Sequence, residues 1–222
     1  MSDNIADLKE QLVVTGRSIL DRGLVAGTWG NISVRIAESG NIAITPSGCD
    51  YHALSAQDIV IVNNIGIKEE GELIPSSEMP LHLAIYAVRS DIQAIIHTHS
   101  IFASACAVAH CAIPPMIEDL VQIVGGGVEV AEYALPGTDE LAKNTVIALA
   151  DRQAVLMANH GLVGCAKTLR EALMVVELVE KAAQIFMYAN MLGGPKLLNK
   201  EDVAIMRRFF VEQYQLRQGG RT

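Results

Sequence analysis

The sequence predicts an α/β fold, one domain in which helices cover a central β-sheet, and three observations predict it. Short apolar runs of strand length alternate along the chain with longer stretches of helical spacing. No internal repeat, low-complexity stretch or linker interrupts that alternation, so residues 1–222 read as one domain. Half of the 222 residues are hydrophobic and only 19% are charged, enough apolar surface to bury a full core. Pattern alone leaves the strand directions open, although several junctions are short enough for antiparallel pairs.

Ile5, Leu8, Leu12 and Ile19 share one helical face and Gly23 is placed to stop it, which predicts a first helix over residues 3–22. Gly27-Thr-Trp-Gly-Asn-Ile-Ser-Val34 is a glycine-bearing turn entering a strand. It lacks dinucleotide-site spacing, but small residues beside Asn31 let a ligand approach the backbone closely. Residues 41–45 alternate as a strand and run into the turn Pro46-Ser47-Gly48, which offers a hydroxyl and a backbone amide. A short turn or helix at residues 55–58 leads into a buried strand at 59–62, and the polar, glycine-bearing residues 63–75 form a loop or hairpin.

Ser76-Ser-Glu-Met-Pro80 opens a helix whose Leu81, Ala84, Ile85 and Val88 keep helical spacing. Ser76 and Ser77 suit helix caps, and the same hydroxyls and free amides suit a phosphate. Glu78 in that first turn either complements the helix dipole or places a carboxylate in a pocket.

Ala94-Ile-Ile-His-Thr-His-Ser100 follows, an apolar strand ending in two histidines. Alternate strand side chains share a face, so His97 and His99 point the same way. Burying two adjacent imidazoles with no charge or metal to organise them is costly. A short apolar helix is predicted over residues 101–110, then a loop through Ile113-Pro-Pro-Met116 that carries Glu118 and Asp119, then a tight connection at Gly125-Gly-Gly127.

Residues 129–133 form a strand, and Thr138 caps the next helix. Ala154-Val-Leu-Met-Ala-Asn-His-Gly161 is a second buried strand that delivers His160 at its end. By itself His160 reads as a core histidine; with His97 and His99 it completes three neutral imidazoles, a set that suits zinc with one position left for substrate. Residues 162–165 form another strand, Thr168-Leu-Arg-Glu171 has capping-box spacing ahead of a long amphipathic helix, and Gly193-Gly-Pro195 ends it. A last helix lies between Asn199 and the segment Glu212-Gln-Tyr-Gln-Leu-Arg217, whose Tyr214 has no evident core role.

The formal charge of −8, from 17 basic and 25 acidic residues, argues against nucleic acid and anionic membranes as partners. No apolar run reaches the ~18 residues of a transmembrane helix. The acidic start, Met1-Ser-Asp-Asn-Ile-Ala-Asp7, lacks a signal-peptide pattern, which places the chain in the cytoplasm. Cys49, Cys106, Cys111 and Cys165 form no CxxC pair and in a reducing compartment read as small core residues.

With these residues placed, the chain resembles the class II aldolase/adducin family, and within it the L-fuculose-1-phosphate aldolases. The matching stretches run from the first helix to the C-terminal tyrosine: Gly30-Asn31, Thr45-Pro-Ser-Gly48, Glu69-Glu-Gly-Glu-Leu73, Pro75-Ser-Ser-Glu78, His97-Thr-His99, Asn159-His-Gly161 and Tyr214-Gln-Leu-Arg217. The resemblance implies a three-layer α/β/α fold with a mostly antiparallel central sheet, assembled as a homotetramer with sites between subunits. It implies zinc, or another divalent transition metal, held by His97, His99 and His160 with Glu78 as fourth ligand. Asn31, Ser47, Gly48, Ser76 and Ser77 would bind the substrate phosphate, with Gly30 also in the substrate site.

The implied activity is aldol cleavage of a ketose 1-phosphate, L-fuculose 1-phosphate or a related deoxyketose, to dihydroxyacetone phosphate and an aldehyde. Glu78 would move a proton at the dihydroxyacetone phosphate carbon, and Tyr214 one at the aldehyde-derived oxygen. One departure stands out: Asp119 occupies the loop position where the aldolases carry a second tyrosine. Methylthioribulose-1-phosphate dehydratases of the superfamily carry a carboxylate acid/base in that loop. Ribulose-5-phosphate 4-epimerases, 3-oxo-tetronate 4-phosphate decarboxylases and the non-catalytic adducin head share the fold and remain alternatives. Glu78 favours the aldolases over the epimerases, which usually carry Asp there.

Overall fold

The structure, a computed structural model, describes residues 5–214, with side chains given through residue 212. Helix α1 spans Ile5–Asp21 and buries Leu8, Leu12, Val13 and Ile19 along one face. Gly23, at φ +68°, turns the chain away as expected, with Leu24 N–H donating to Ile19 O. Strands β1 (Asn31–Arg35) and β2 (Ile42–Ile44) follow, then a 3₁₀ turn at Ala56–Asp58 and strands β3 (Val60–Val62) and β4 (Lys68–Glu70). The remaining elements are α2 (Met79–Val88), β5 (Ala94–Thr98), α3 (Ile101–Val108), α4 (Glu118–Val124), β6 (Val130–Ala131), α5 (Asp139–Leu149), β7 (Ala154–Met157), β8 (Gly161–Ala166), α6 (Leu169–Met191) and α7 (Lys200–Phe209), with a π-helical turn at Phe210–Tyr214.

The eight strands form one sheet in the order β4-β3-β2-β1-β5-β8-β7-β6. Every pairing is antiparallel except β6 with β7. Successive residues of a strand face opposite sides, and the sheet is buried on both. Ile96 joins a core with α1, α3, α4 and α6, while its neighbour Ile95 joins a second core with α2 and α5. This is the three-layer, mostly antiparallel architecture expected from the family resemblance.

Two expectations change in detail. Residues 118–124 form a helix where a loop is expected around Glu118 and Asp119. A seven-residue helix is too short to stand on propensity; burial of Leu120, Val121 and Val124 and a left-handed Gly125 cap hold it. The strand expected over residues 129–133 shortens to Val130–Ala131, at the sheet edge. The expected caps Thr138 and Thr168 do accept hydrogen bonds, from Leu141 N–H and Glu171 N–H.

Candidate metal centre

The strand ends place the histidines. On β5 the alternation that sends Ile95 to the α2 side sends His97 there too, and His99 lies one residue beyond the strand. His97 pairs across the ladder with Asn31 of β1 on one side and Val163 of β8 on the other. Its Nδ1 lies 2.9 Å from Leu162 O. A carbonyl only accepts, so Nδ1 carries the proton and Nε2 turns a lone pair into the site. The backbone N–H of His99 donates to Leu24 O, which fixes where that ring leaves the chain.

His160 sits in the hairpin between β7 and β8, whose Met157 and Gly161 are paired. Asn159 adopts a left-handed conformation (φ +55°) to make this three-residue connection. Gly161 is required by crowding: a Cβ there would meet Thr98 O at 2.4 Å and the rings of His97 and His99 at 3.2 Å. Gly30 is required likewise, because a Cβ would lie 2.7 Å from His97 O.

The three rings meet in T-shaped pairs, with centroids 4.7 to 5.0 Å apart. Their ligand atoms all lie within 4.8 Å of one another. Nε2 of His97 is 2.8 Å from Nε2 of His99. Glu78, the N-cap residue of α2, does not use its side chain as a cap. Its Oε2 lies 3.1 Å from His97 Nε2 and its Oε1 3.2 Å from His160 Nε2. Glu78 Oε1 is buried and, among the described residues, finds no hydrogen-bond donor.

Burial works to raise the Glu78 carboxyl, but His97, His160 and the Asn31 amide outweigh it and hold the group below the ordinary carboxylate value. Burial pushes His97 down to about 4, so its ring is neutral at physiological pH. His99 is lowered by burial and by His160 beside it. A carboxylate facing buried imidazole lone pairs is an acceptor set that needs a cation, so the residues fit a divalent metal.

Other expected site residues lie near the start of α2. The turn Pro46-Ser47-Gly48 runs beside the approach to α2 through a Pro46–Pro75 bridge, Ser47 N–H to Ile74 O at 2.9 Å and Ser76 N–H to Thr45 O at 3.1 Å. Ser47, Gly48 and Ser77 are exposed and Ser76 is buried. Neither serine is the N-cap of α2; Ser76 Oγ accepts from Glu78 N–H at 3.2 Å. Asn31 donates through Nδ2 to Glu78 Oε2 at 2.8 Å.

Asp119 is in the first turn of α4, where it pairs with Lys181 of α6 at 2.6 Å and accepts from Leu120 N–H. Neither contact reaches the histidines. The Tyr214 side chain lies outside the described residues, as does the rest of the Tyr214–Arg217 stretch.

Sequence reasoning passed over Trp29, which is exposed and stacks on His99 with centroids 5.9 Å apart. It also passed over His82 and Tyr86. The signal was present: Glu78, His82 and Tyr86 recur every fourth residue on one helix. Of the four cysteines expected in the core, Cys106 and Cys165 are buried and Cys49 and Cys111 half-buried; burial pushes Cys106 up to about 11 and Cys165 up to about 12.

The class II aldolase and adducin N-terminal domain profile matches residues 10–187. The 5-deoxy-D-ribulose 1-phosphate aldolase of Bacillus thuringiensis serovar kurstaki is 39% identical over 202 residues, 91% of this chain and 94% of that protein. The L-fuculose phosphate aldolase of Escherichia coli K12 is 34% identical over 211 residues, 95% and 96% of the two chains. A solved L-fuculose 1-phosphate aldolase superposes with a TM-score of 0.90 at 40% identity, covering 92% of this chain and 96% of its own.

Proposed function

The chain belongs to the class II aldolase and adducin family, and from that premise we propose that it cleaves a ketose 1-phosphate reversibly to dihydroxyacetone phosphate and an aldehyde, with zinc as its metal. The convergence of His97, His99 and His160 on the Glu78 carboxylate carries the reading. A scaffold has no use for a buried acceptor cluster of this kind. Relatives that act on 5-deoxy-D-ribulose 1-phosphate and L-fuculose phosphate support the substrate class.

His97, His99 and His160, with Glu78, would hold the zinc. When bound, the metal supplies Lewis-acid polarisation of the substrate carbonyl and neutralises developing oxyanion charge. The amides and hydroxyls of Ser47, Gly48, Ser76 and Ser77, gathered beside the α2 N-terminus, suit the substrate phosphate. Gly30, by carrying no side chain, lets the chain before Asn31 pass close to His97 O. Asn31 stands at the same junction; with one amide hydrogen on Glu78, its second remains for a substrate oxygen. Glu78 would move the proton at the dihydroxyacetone phosphate carbon, and Tyr214 would serve the aldehyde-derived oxygen.

Asp119, an acid/base candidate paired with Lys181 in this chain, is the residue to substitute first if dehydration is found in place of aldol cleavage. We read residues 1–222 as one domain of a cytoplasmic homotetramer with sites between subunits. The test is a coupled assay for dihydroxyacetone phosphate on zinc-loaded protein, with the 1-phosphates of L-fuculose, L-rhamnulose, 5-deoxyribulose and methylthioribulose. Release that a chelator abolishes is expected. No release from any of the four with metal bound would overturn the reading.

A further inference from the structure

We propose that His82 is a positioning residue for this site: as the Nε2–H tautomer it locks the Asn31 amide with its NH2 toward Glu78, at the end of a one-way hydrogen-bond chain that starts at Tyr86. Two periodicities build the chain. Asn31 and Ser33 are alternate residues of β1 and share a face, while Glu78, His82 and Tyr86 share a face of α2. All five side chains are buried, His82 and Ser33 completely.

The direction of each bond follows from its neighbour. A carboxylate only accepts, so the Asn31 atom 2.8 Å from Glu78 Oε2 is Nδ2. The amide oxygen therefore faces His82 Nε2, at 2.5 Å, and must accept from it. Nε2 thus carries the proton. Burial pushes His82 down to about 3, so the ring is neutral and Nδ1 is bare. The Ser33 hydroxyl, 2.6 Å away, donates to Nδ1. Having given its hydrogen to His82, Ser33 Oγ can accept from Tyr86 OH at 2.9 Å; main-chain oxygens of Ser33 and Gln93 lie 3.1 and 3.4 Å from the same phenol.

A flipped Asn31 would set its oxygen against the carboxylate and its NH2 against Nε2–H, two repulsive contacts where there were two bonds. Asn31 therefore stays aimed at the Glu78 position even when the carboxylate swings away. No reorganisation of the donor is needed during a reaction cycle. The role of Glu78 in turnover rests on the proposed aldol reading; the tautomer and the aim of Asn31 do not.

The test uses His82→Leu and His82→Gln, each alone and combined with Asn31→Ala, in the full chain. Glutamine can place an amide N–H near the position of Nε2 and serve Asn31; leucine cannot. His82→Leu is expected to lower zinc affinity, measured by chelator competition, and kcat for the responding ketose 1-phosphate by roughly 10–100-fold with KM held. His82→Gln should recover most of both losses. In the Asn31→Ala background, His82→Leu should cost little more, because its effect passes through Asn31.

Nitrogen NMR of the metal-free protein should show His82 as the Nε2–H tautomer, by reference to spectra of His82→Gln. A purely structural His82 would give additive losses in both backgrounds and no glutamine rescue. That result, or an Nδ1–H tautomer, overturns the inference. Wild-type protein without aldol activity would sink the proposed function alone, since the NMR and metal-affinity readouts need no substrate.

Discussion

In the proposed reaction Glu78 carries two demands at once, as an anion facing the metal and Asn31 and as the group that moves a proton. Glu78→Gln keeps its shape and removes its charge and basicity. It is expected to lower kcat roughly 100–10,000-fold; full turnover with zinc still bound would refute the assignment. His82 sets a second expectation at this scale. Its folded pKa, pushed by burial to about 3, lies below the 6.5 of an unfolded histidine. As pH falls below 6.5 the unfolded chain takes up the proton first, so stability present above 6.5 is lost as pH drops toward 3. The slope is roughly 1.4 kcal/mol per pH unit for this one group, and His97 adds to it in the metal-free protein. Urea midpoints of metal-free protein at pH 7.5 and 5 measure it, and His82→Gln should flatten part of the decline; equal midpoints for the wild type would contradict the burial argument. The three clustered histidines were legible because His97, His99 and His160 each close an apolar strand pattern. His82 was not, because a lone histidine on an apolar helix face reads as core until its partners from β1 are in place.

The β7–β8 hairpin and the β5 end act as two jaws, and Gly161 lets them close. Gly161→Ala forces a methyl against Thr98 O and the His97 and His99 rings. We expect it to destabilise by about 1–3 kcal/mol, the usual cost of overpacking, and to weaken metal binding as well. Thermal unfolding and chelator competition check both; a variant with unchanged metal affinity would mean that the hairpin does not position His160. Helices with strong caps and long apolar faces, such as α5 and α6, could be read from the chain itself. α4 could not, because what holds it comes from elsewhere. Its terminal carbonyls at Gln122 and Ile123 accept from Arg207 of α7, and Lys181 of α6 grips Asp119 at its start. No pattern within seven residues announces partners more than sixty positions away.

For the molecule as a whole, a metal that binds only the folded state stabilises it by mass action. At 100 times its Kd the gain is about 2.7 kcal/mol, which for a chain of this size moves Tm by roughly 5–11 °C. Scanning calorimetry with zinc and after chelation should show that difference, and identical transitions would argue against a resident metal. Composition, strand and helix periods, the caps and the histidine spacing were determined by sequence alone, because each depends on residues a few positions apart. The resemblance of motif order anticipated the antiparallel sheet, which local pattern had left open. Only the tertiary structure decided which neighbours the site has: β1 lies between β2 and β5, so Asn31 meets His97, and α2 packs on that face, so Glu78 and His82 close around both. The bonds from Asn31 to Glu78 and to His82 span 47 and 51 positions. Their geometry is set by sheet order and by which face a helix covers, and neither quantity is written in any local stretch of the chain.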